Sequence, residues 1–504
     1  MITGVVALGT GLAVAELVAG LIRDAPSPVV AVGQTVIDGA PPGLKDWAIS
    51  TFGTANKFVL VTGTIIILVL VASAAGVMAV RDRRRDAAAL AGLIGVLGVL
   101  AVVTGSSAPV GHVAPTVLGT VVTIGVLWWL PTLLAPAAEP AAERPEATRM
   151  GVDRRSFFTA SVALGVGAAA VGGVGRLLQR RFAIGEERAA LVLPTVADTA
   201  SLPADAELGV DGLTSFVTPN HSFFRIDAAL TVPQVSTDEW RLRIHGMVDR
   251  EIELTFDDLM RRDQIERYLT ISCVSNEVGG GLIGNARWQG VRIDELLAEA
   301  GVDPAAEQLV STSIDGWTCG TPVSAVTDGR DALLAFAMNG EPLPAQHGYP
   351  VRMVVPGLFG YVSATKWVTD IELTTWDAFD AYWVRRGWSE RGPVKTMARI
   401  DRPRSGSSPS DGTLDIGGMA WAVHRGISAV EIRIDDGPWI ECELGGVPSD
   451  DTWRQWHHRL DATPGQHEIE ARAIDGSGEV QPEERRSPAP DGAQGYHRVR
   501  VTVG

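Results

Sequence analysis

Residues 271–291 read ISCVSNEVGGGLIGNARWQGV, a cysteine at the end of an apolar strand and directly before a glycine-rich loop. A thiolate is both a nucleophile and a soft metal ligand. GGGLIGN lacks the Lys-Ser/Thr ending of a P-loop and the G-x-G-x-x-G spacing of a dinucleotide fold, so nucleotide binding is poorly supported. The other cysteines, Cys319 and Cys442, are distant in sequence and form no C-x-x-C. That argues against a local redox pair and against zinc. From spacing alone Cys273 is either a small buried hydrophobe or a lone ligand.

A second set of chemistry-bearing residues recurs in unusual contexts. PNHSFFRID (219–227) sets Arg225 behind two aromatics, IDGW sets Asp315 before a tryptophan, and QHGYPVRMVVPGLFGYVSATKW (346–367) holds His347, Arg352 and Lys366 among prolines and glycines. Arginine and lysine beside exposed backbone N–H groups suit a phosphate or another anion. Each of these charges taken singly also fits a structural salt bridge.

The elements that must position these residues are short strands. WRLRIHG places Trp240, Leu242 and Ile244 on one face, LTFDDLM starts a short helix, and YLTISC places Leu269, Ile271 and Cys273 on one side. Strands and helices intermix without a β-α-β rhythm, which predicts an α+β domain. Residues 179–216, polar and carrying Pro194 and Pro203, read as a linker.

Before that linker the composition changes. Runs at 1–22, 58–80, 87–104 and 113–135 approach the roughly 20 apolar residues that cross a bilayer. They predict a four-helix transmembrane anchor over 1–150. A fifth run, 157–175, follows MGVDRRSFF, so that 151–178 reads as a twin-arginine-like signal or a fifth transmembrane helix. The cluster RDRRR at 81–85 stays on the cytoplasmic side. Counting crossings from it puts 143–155 inside and everything after about Gly175 outside the cytoplasmic membrane. His112 is the only histidine before His221, which excludes an intramembrane bis-histidine haem. A net charge of −16 disfavours nucleic acid as a partner.

Taken together and in order, FFR, SCVSN, GNARWQGV, the HG-x-PVR pattern and PG-x-x-G…KW resemble the molybdenum-cofactor domain of the sulfite oxidase family. The resemblance implies that 217–392 is a molybdopterin-binding oxidoreductase domain with Cys273 as the one protein thiolate on molybdenum. It further implies cofactor contacts from Asn220, Phe223, Phe224, Arg225, Asp315, His347, Arg352, Ser363, Thr365 and Lys366. Arg225 and Arg287 align with basic positions of the family and are expected catalytic companions of Cys273; Tyr382, with Trp383 and Trp388, either joins them by closing over the metal or packs between the domains. Sulfite-oxidising members carry arginine close behind the cysteine, whereas Glu277 and Val278 stand here. The implied chemistry is therefore oxygen-atom transfer on a small oxo-substrate, sulfite oxidase-like or sulfoxide reductase-like.

The last hundred residues show strands at regular intervals, AVEIRID, HEIEARAID and HRVRVTV among them. They predict a β-sandwich over 393–504 that resembles the family's immunoglobulin-like dimerisation domain, and so imply a homodimer. Nothing resembles a cytochrome b5 or flavin domain, so electrons must pass through a separate carrier, a cytochrome or the membrane quinone system. The competing reading is a metal-free, membrane-tethered binding protein on the same fold. Retention of the cysteine with the pocket arginine and lysine argues against it.

Overall fold

The computed structural model describes residues 1–22, 25–52, 55–104, 110–134, 154–180, 184–196, 198–408 and 413–504. The chain divides into two compact units, Met1–Ala183 with Asp227–Gln234, and Ile184–Ile226 with Val235–Gly504.

The first unit is helical: α1 (Ile2–Leu21), α2 (Pro28–Gly39), α3 (Pro42–Phe52), α4 (Asn56–Val80), α5 (Arg84–Thr104), α6 (Ala114–Trp129) and α7 (Arg154–Arg180). Small residues let these helices meet at close range. A Cβ added to Gly11 of α1 would lie 2.5 Å from the Gly119 carbonyl of α6, and one added to Gly20 would lie 2.4 Å from the Gly175 carbonyl of α7. Among the described residues five helical stretches are long and apolar enough to cross a membrane. The sequence did not suggest α2 and α3, which are too short and too mixed in polarity for a span. Residues 150–153 of the signal-like motif, and most of the segment expected inside, lie outside the described residues; α7 begins at Arg154.

The second unit opens with α8 (Gly185–Ala190). In chain order its first strands are β1 (Asp198–Thr199), β2 (Arg241–Gly246), β3 (Ile252–Thr255), β4 (Ile265–Ser272), β5 (Ile283–Arg292), β6 (Gln308–Ser313), β7 (Thr318–Pro322), β8 (Leu333–Met338), β9 (Glu341–Pro342), β10 (Arg352–Val354) and β11 (Val368–Thr374). One sheet runs β1-β4-β5-β8-β10 and another β3-β2-β11-β6-β7. The alternation in WRLRIHG appears as buried Leu242 and Ile244 between exposed arginines. Strands and helices intermix as expected for α+β.

The stretch read as a linker is more structured than its polarity suggests. Its Asp198–Thr199 pairs in parallel with β4, and the Asp198 carboxylate meets Arg267 of β4 at 2.7 Å. Polar residues here are ion-pair partners of the sheet rather than spacer.

The remaining strands are β12 (Met397–Arg402), β13 (Thr413–Trp421), β14 (Ile427–Ile434), β15 (Ile440–Glu441), β16 (Glu443–Leu444), β17 (Arg454–Asp461), β18 (Gly465–Asp475) and β19 (His497–Val503). They form the sheets β12-β13-β17-β16 and β15-β14-β18-β19. Leu414, Ile416 and Trp456 of the first sheet and Val430, Ile432 and Val501 of the second share one buried core. The two sheets therefore pack face to face as a sandwich.

Candidate active site

Cys273 follows the last residue of β4, and the loop behind it is closed by hydrogen bonds of its own. The Cys273 N–H donates to Leu282 O at 2.9 Å, and the Leu282 N–H donates to the Asn276 side-chain oxygen at 2.8 Å. Burial pushes the Cys273 thiol above its ordinary pKa, with hydrogen bonds from Ser275 pulling it partly back. A bound metal cation reverses that balance and deprotonates a coordinating thiol.

The antiparallel register of β4 and β5 decides which neighbours share a face. Leu269 stands opposite Ala286, and Ile271 opposite Gly284. Leu269, Ile271 and Ala286 join Phe223, Trp288, Tyr349 and Ala364 in one buried cluster. A Cβ on Gly284 would lie 2.8 Å from the Phe223 ring, so glycine is what admits that ring to the sheet. Phe223 stacks on Phe224 at 5.3 Å and meets the His347 ring edge-on at 5.6 Å.

His347 is buried, and its Nε2 lies 3.2 Å from Asn220 O. That carbonyl can only accept, so Nε2 carries the proton and Nδ1 is left as an acceptor. Burial and the neighbouring Arg352 push its pKa down to about 4, so the ring is neutral near pH 7.

Arg352 is 5% exposed and lies with its guanidinium 4.9 Å from the centre of the Trp288 ring. It donates to the carbonyls of His347 at 3.1 Å and Ala364 at 3.4 Å. Among the described residues no carboxylate lies within ion-pair distance of it. Burial alone pulls its pKa down to about 9. A buried cation without a counter-charge is costly unless an anion joins it.

Lys366 completes a cationic corner. Its Nζ donates to Ile226 O at 3.2 Å, next to Arg225, and to Gln346 O at 3.3 Å. The Ile314 N–H donates to Trp367 O, which brings the Asp315 turn alongside. Asp315 itself accepts from the Trp317 N–H at 3.1 Å. Asn220 spans Met338 O and Glu341 at 3.1 and 2.6 Å.

Three expected residues are placed differently from the rest. The Ser363 hydroxyl donates to Leu358 O and Phe359 O of its own turn, and Thr365 Oγ1 lies 2.6 Å from Ser311 Oγ. Both hydroxyls are thus occupied within the protein, while the backbone carbonyls of Ser363 and Thr365 accept from Val355 and Met353 and fix the strand of Arg352. Arg287 pairs across from Tyr268 and meets Glu266 at 3.1 Å. Strand alternation puts it on the face opposite Leu269 and Ile271. Arg287, expected among the catalytic residues, is paired on that face with Glu266.

Tyr382 is held by its N–H to Thr318 and heads a run of ring contacts. Tyr382 meets Trp383 at 5.2 Å, Trp383 meets Trp388 at 6.3 Å, and Trp388 meets Tyr361 at 6.1 Å. Beside Tyr361, the Gly360 N–H donates to Ser272 O. Sequence reasoning left Trp288 and Asn276 without a role, although both sit in stretches it singled out. An aromatic on the cysteine-facing side of β5 was the available signal for Trp288.

The site can take a molecule with an anionic end at Arg352 and Lys366, a planar polar edge at His347, and a metal at Cys273. Comparisons with known proteins bear on that donor set. Residues 229–383 match the family described as oxidoreductase molybdopterin binding domain. Mitochondrial sulfite oxidase of Rattus norvegicus is 29% identical over 366 residues, 62% of this chain and 66% of that protein. The uncharacterised oxidoreductase YuiH of Bacillus subtilis is 35% identical over 154 residues, 31% of this chain and 74% of that protein. Among solved structures, the sulfane dehydrogenase SoxCD from Paracoccus pantotrophus is 26% identical, covering 57% of this chain and 82% of that one with a TM-score of 0.49. With a thiol at the strand end, a buried arginine lacking a counter-charge and these sequence matches, the chain belongs to the sulfite oxidase family of molybdopterin-binding oxidoreductases.

Proposed function

We propose that this chain is a membrane-anchored molybdenum-cofactor oxidoreductase whose catalytic unit lies outside the cytoplasmic membrane and acts on a small oxo-substrate. The observation that carries the reading is Arg352, a buried cation with no carboxylate partner among the described residues, on the sheet face that leads to Cys273. Bound there, the cofactor supplies two-electron oxygen-atom transfer. Arg352 and Lys366 hold its phosphate, with Arg225 and Asp315 beside them. The neutral His347 keeps Nδ1 free to accept from the pterin edge, Phe223 and Phe224 wall the site, and Cys273 supplies the protein thiolate. Tyr382 and its neighbouring tryptophans form the substrate-side wall.

The anchor reading rests on the five apolar helices and the RDRRR cluster between α4 and α5. The C-terminal sandwich is read as an immunoglobulin-like dimerisation domain for a second copy, and electrons reach or leave the site through a separate carrier. Domain limits of 1–150, 151–178, 179–216, 217–392 and 393–504 describe this organisation. Dye-coupled turnover with sulfite and with sulfoxides tests the function. Activity on one class that vanishes in Cys273→Ser supports it; turnover unchanged by that substitution would sink it.

A further inference from the structure

The loop behind Cys273 is gripped by the C-terminal sandwich, and nothing in the proposed chemistry requires that. Arg399 of β12 is 7% exposed and donates through Nη1 to Gly280 O at 3.0 Å. Its guanidinium is fixed on the other side by Asp401 at 2.6 Å and by Thr214 Oγ1 at 2.9 Å. The His497 ring of β19 lies against Gly279, where an added Cβ would fall 2.3 Å from Nε2. His497 Nδ1 in turn accepts from the Ile400 N–H at 2.9 Å, which locks the ring's orientation. Gly279 has a φ of +80°, so both backbone conformation and space demand glycine.

The sandwich also holds the strand on the near side of the cysteine. The Trp453 N–H donates to Thr270 Oγ1 at 2.8 Å, and the Thr270 N–H donates to Asp451 O. Trp453 Nε1 donates to Phe216 O at 2.8 Å. Three residues before Cys273 and six to seven after it, the chain is therefore tied to the second domain.

We infer that the C-terminal sandwich sets the geometry of the cysteine loop, with Arg399 and His497 as positioning residues acting through Gly280 and Gly279. Partners one step removed from a ligand fix its orientation, and a loop is held precisely only when a rigid element supports it. The inference deepens the proposed role of Cys273 and rests on it, but its test reads thiol access, which needs no molybdenum.

Full-length chain produced without molybdenum is treated with iodoacetamide, and each cysteine is followed by mass spectrometry. Cys319 and Cys442 are buried and report whether the fold survives. Arg399→Gln and Gly279→Ala are expected to raise the Cys273 rate by about tenfold, one step of local opening, with Cys319 and Cys442 still protected. In metal-loaded protein the same variants shift the thiolate-to-metal absorption. An unchanged Cys273 rate in a variant whose other cysteines stay protected overturns the inference. Should both variants unfold, hydrogen exchange on the wild-type chain decides. Amides of 273–282 as protected as those of β12 support it, and amides exchanging orders of magnitude faster overturn it.

Discussion

The guanidinium of Arg352, on β10, lies 4.9 Å from the centre of the ring of Trp288, on β5, the strand paired with the one that runs into Cys273. An aromatic face and carbonyl oxygens are all the protein gives this buried charge among the described residues, so the charge costs stability until an anion arrives. Arg352→Met should hold the unfolding free energy of the cofactor-free chain level or raise it, by up to about 2 kcal/mol. The same substitution should strip the pterin from purified protein. A large loss of stability with pterin retained would show that Arg352 is a structural cation.

Arg287 gives the contrasting case. Its pairing with Glu266 on the far face means that Arg287→Met should cost about 1 kcal/mol in urea unfolding and leave metal content unchanged. Loss of turnover at full metal loading would place Arg287 in the chemistry after all.

Much of this contrast was legible in sequence and part of it was not. The period of YLTISC put Cys273 at the end of a buried strand, and the apolar runs marked the five helices long and apolar enough to cross a membrane, because both signals are local. The same alternation, counted across to β5, separates Arg287 from Trp288; the pairing partner that makes the count possible is a long-range fact. The hydroxyl of Thr365 turns inward for the same reason, since its partner Ser311 is 54 residues away. Arg399 and His497 reach the cysteine loop from another domain, which no periodicity announces. Helices α2 and α3 were missed because they are neither long nor apolar enough to register as spans.

Stability should fall with acid in a defined window. His347 and His497 are both pushed down to about 4 by burial and by a neighbouring arginine, against about 6.5 when unfolded. The unfolded chain thus binds more protons between these values, so stability is full above about pH 6.5 and is lost as pH falls toward 4. His497→Asn, which keeps an acceptor for Ile400, should flatten that slope in denaturant titrations at several pH values. An unaltered slope would mean that other groups control it.

Side of the membrane is open to direct test. Protease added to intact protoplasts should degrade 184–504 and spare the α4–α5 loop with its RDRRR cluster. Protection of the catalytic unit would reverse the orientation drawn from charge.

The central question is whether Cys273 and Arg352 hold the cofactor. Molybdenum and released pterin measured on purified full-length chain, from cells whose other molybdenum enzymes are loaded, should come to about one of each per chain, in line with a single protein thiolate per metal site. Absence of both from folded protein would contradict cofactor binding and leave a binding protein on an enzyme's fold.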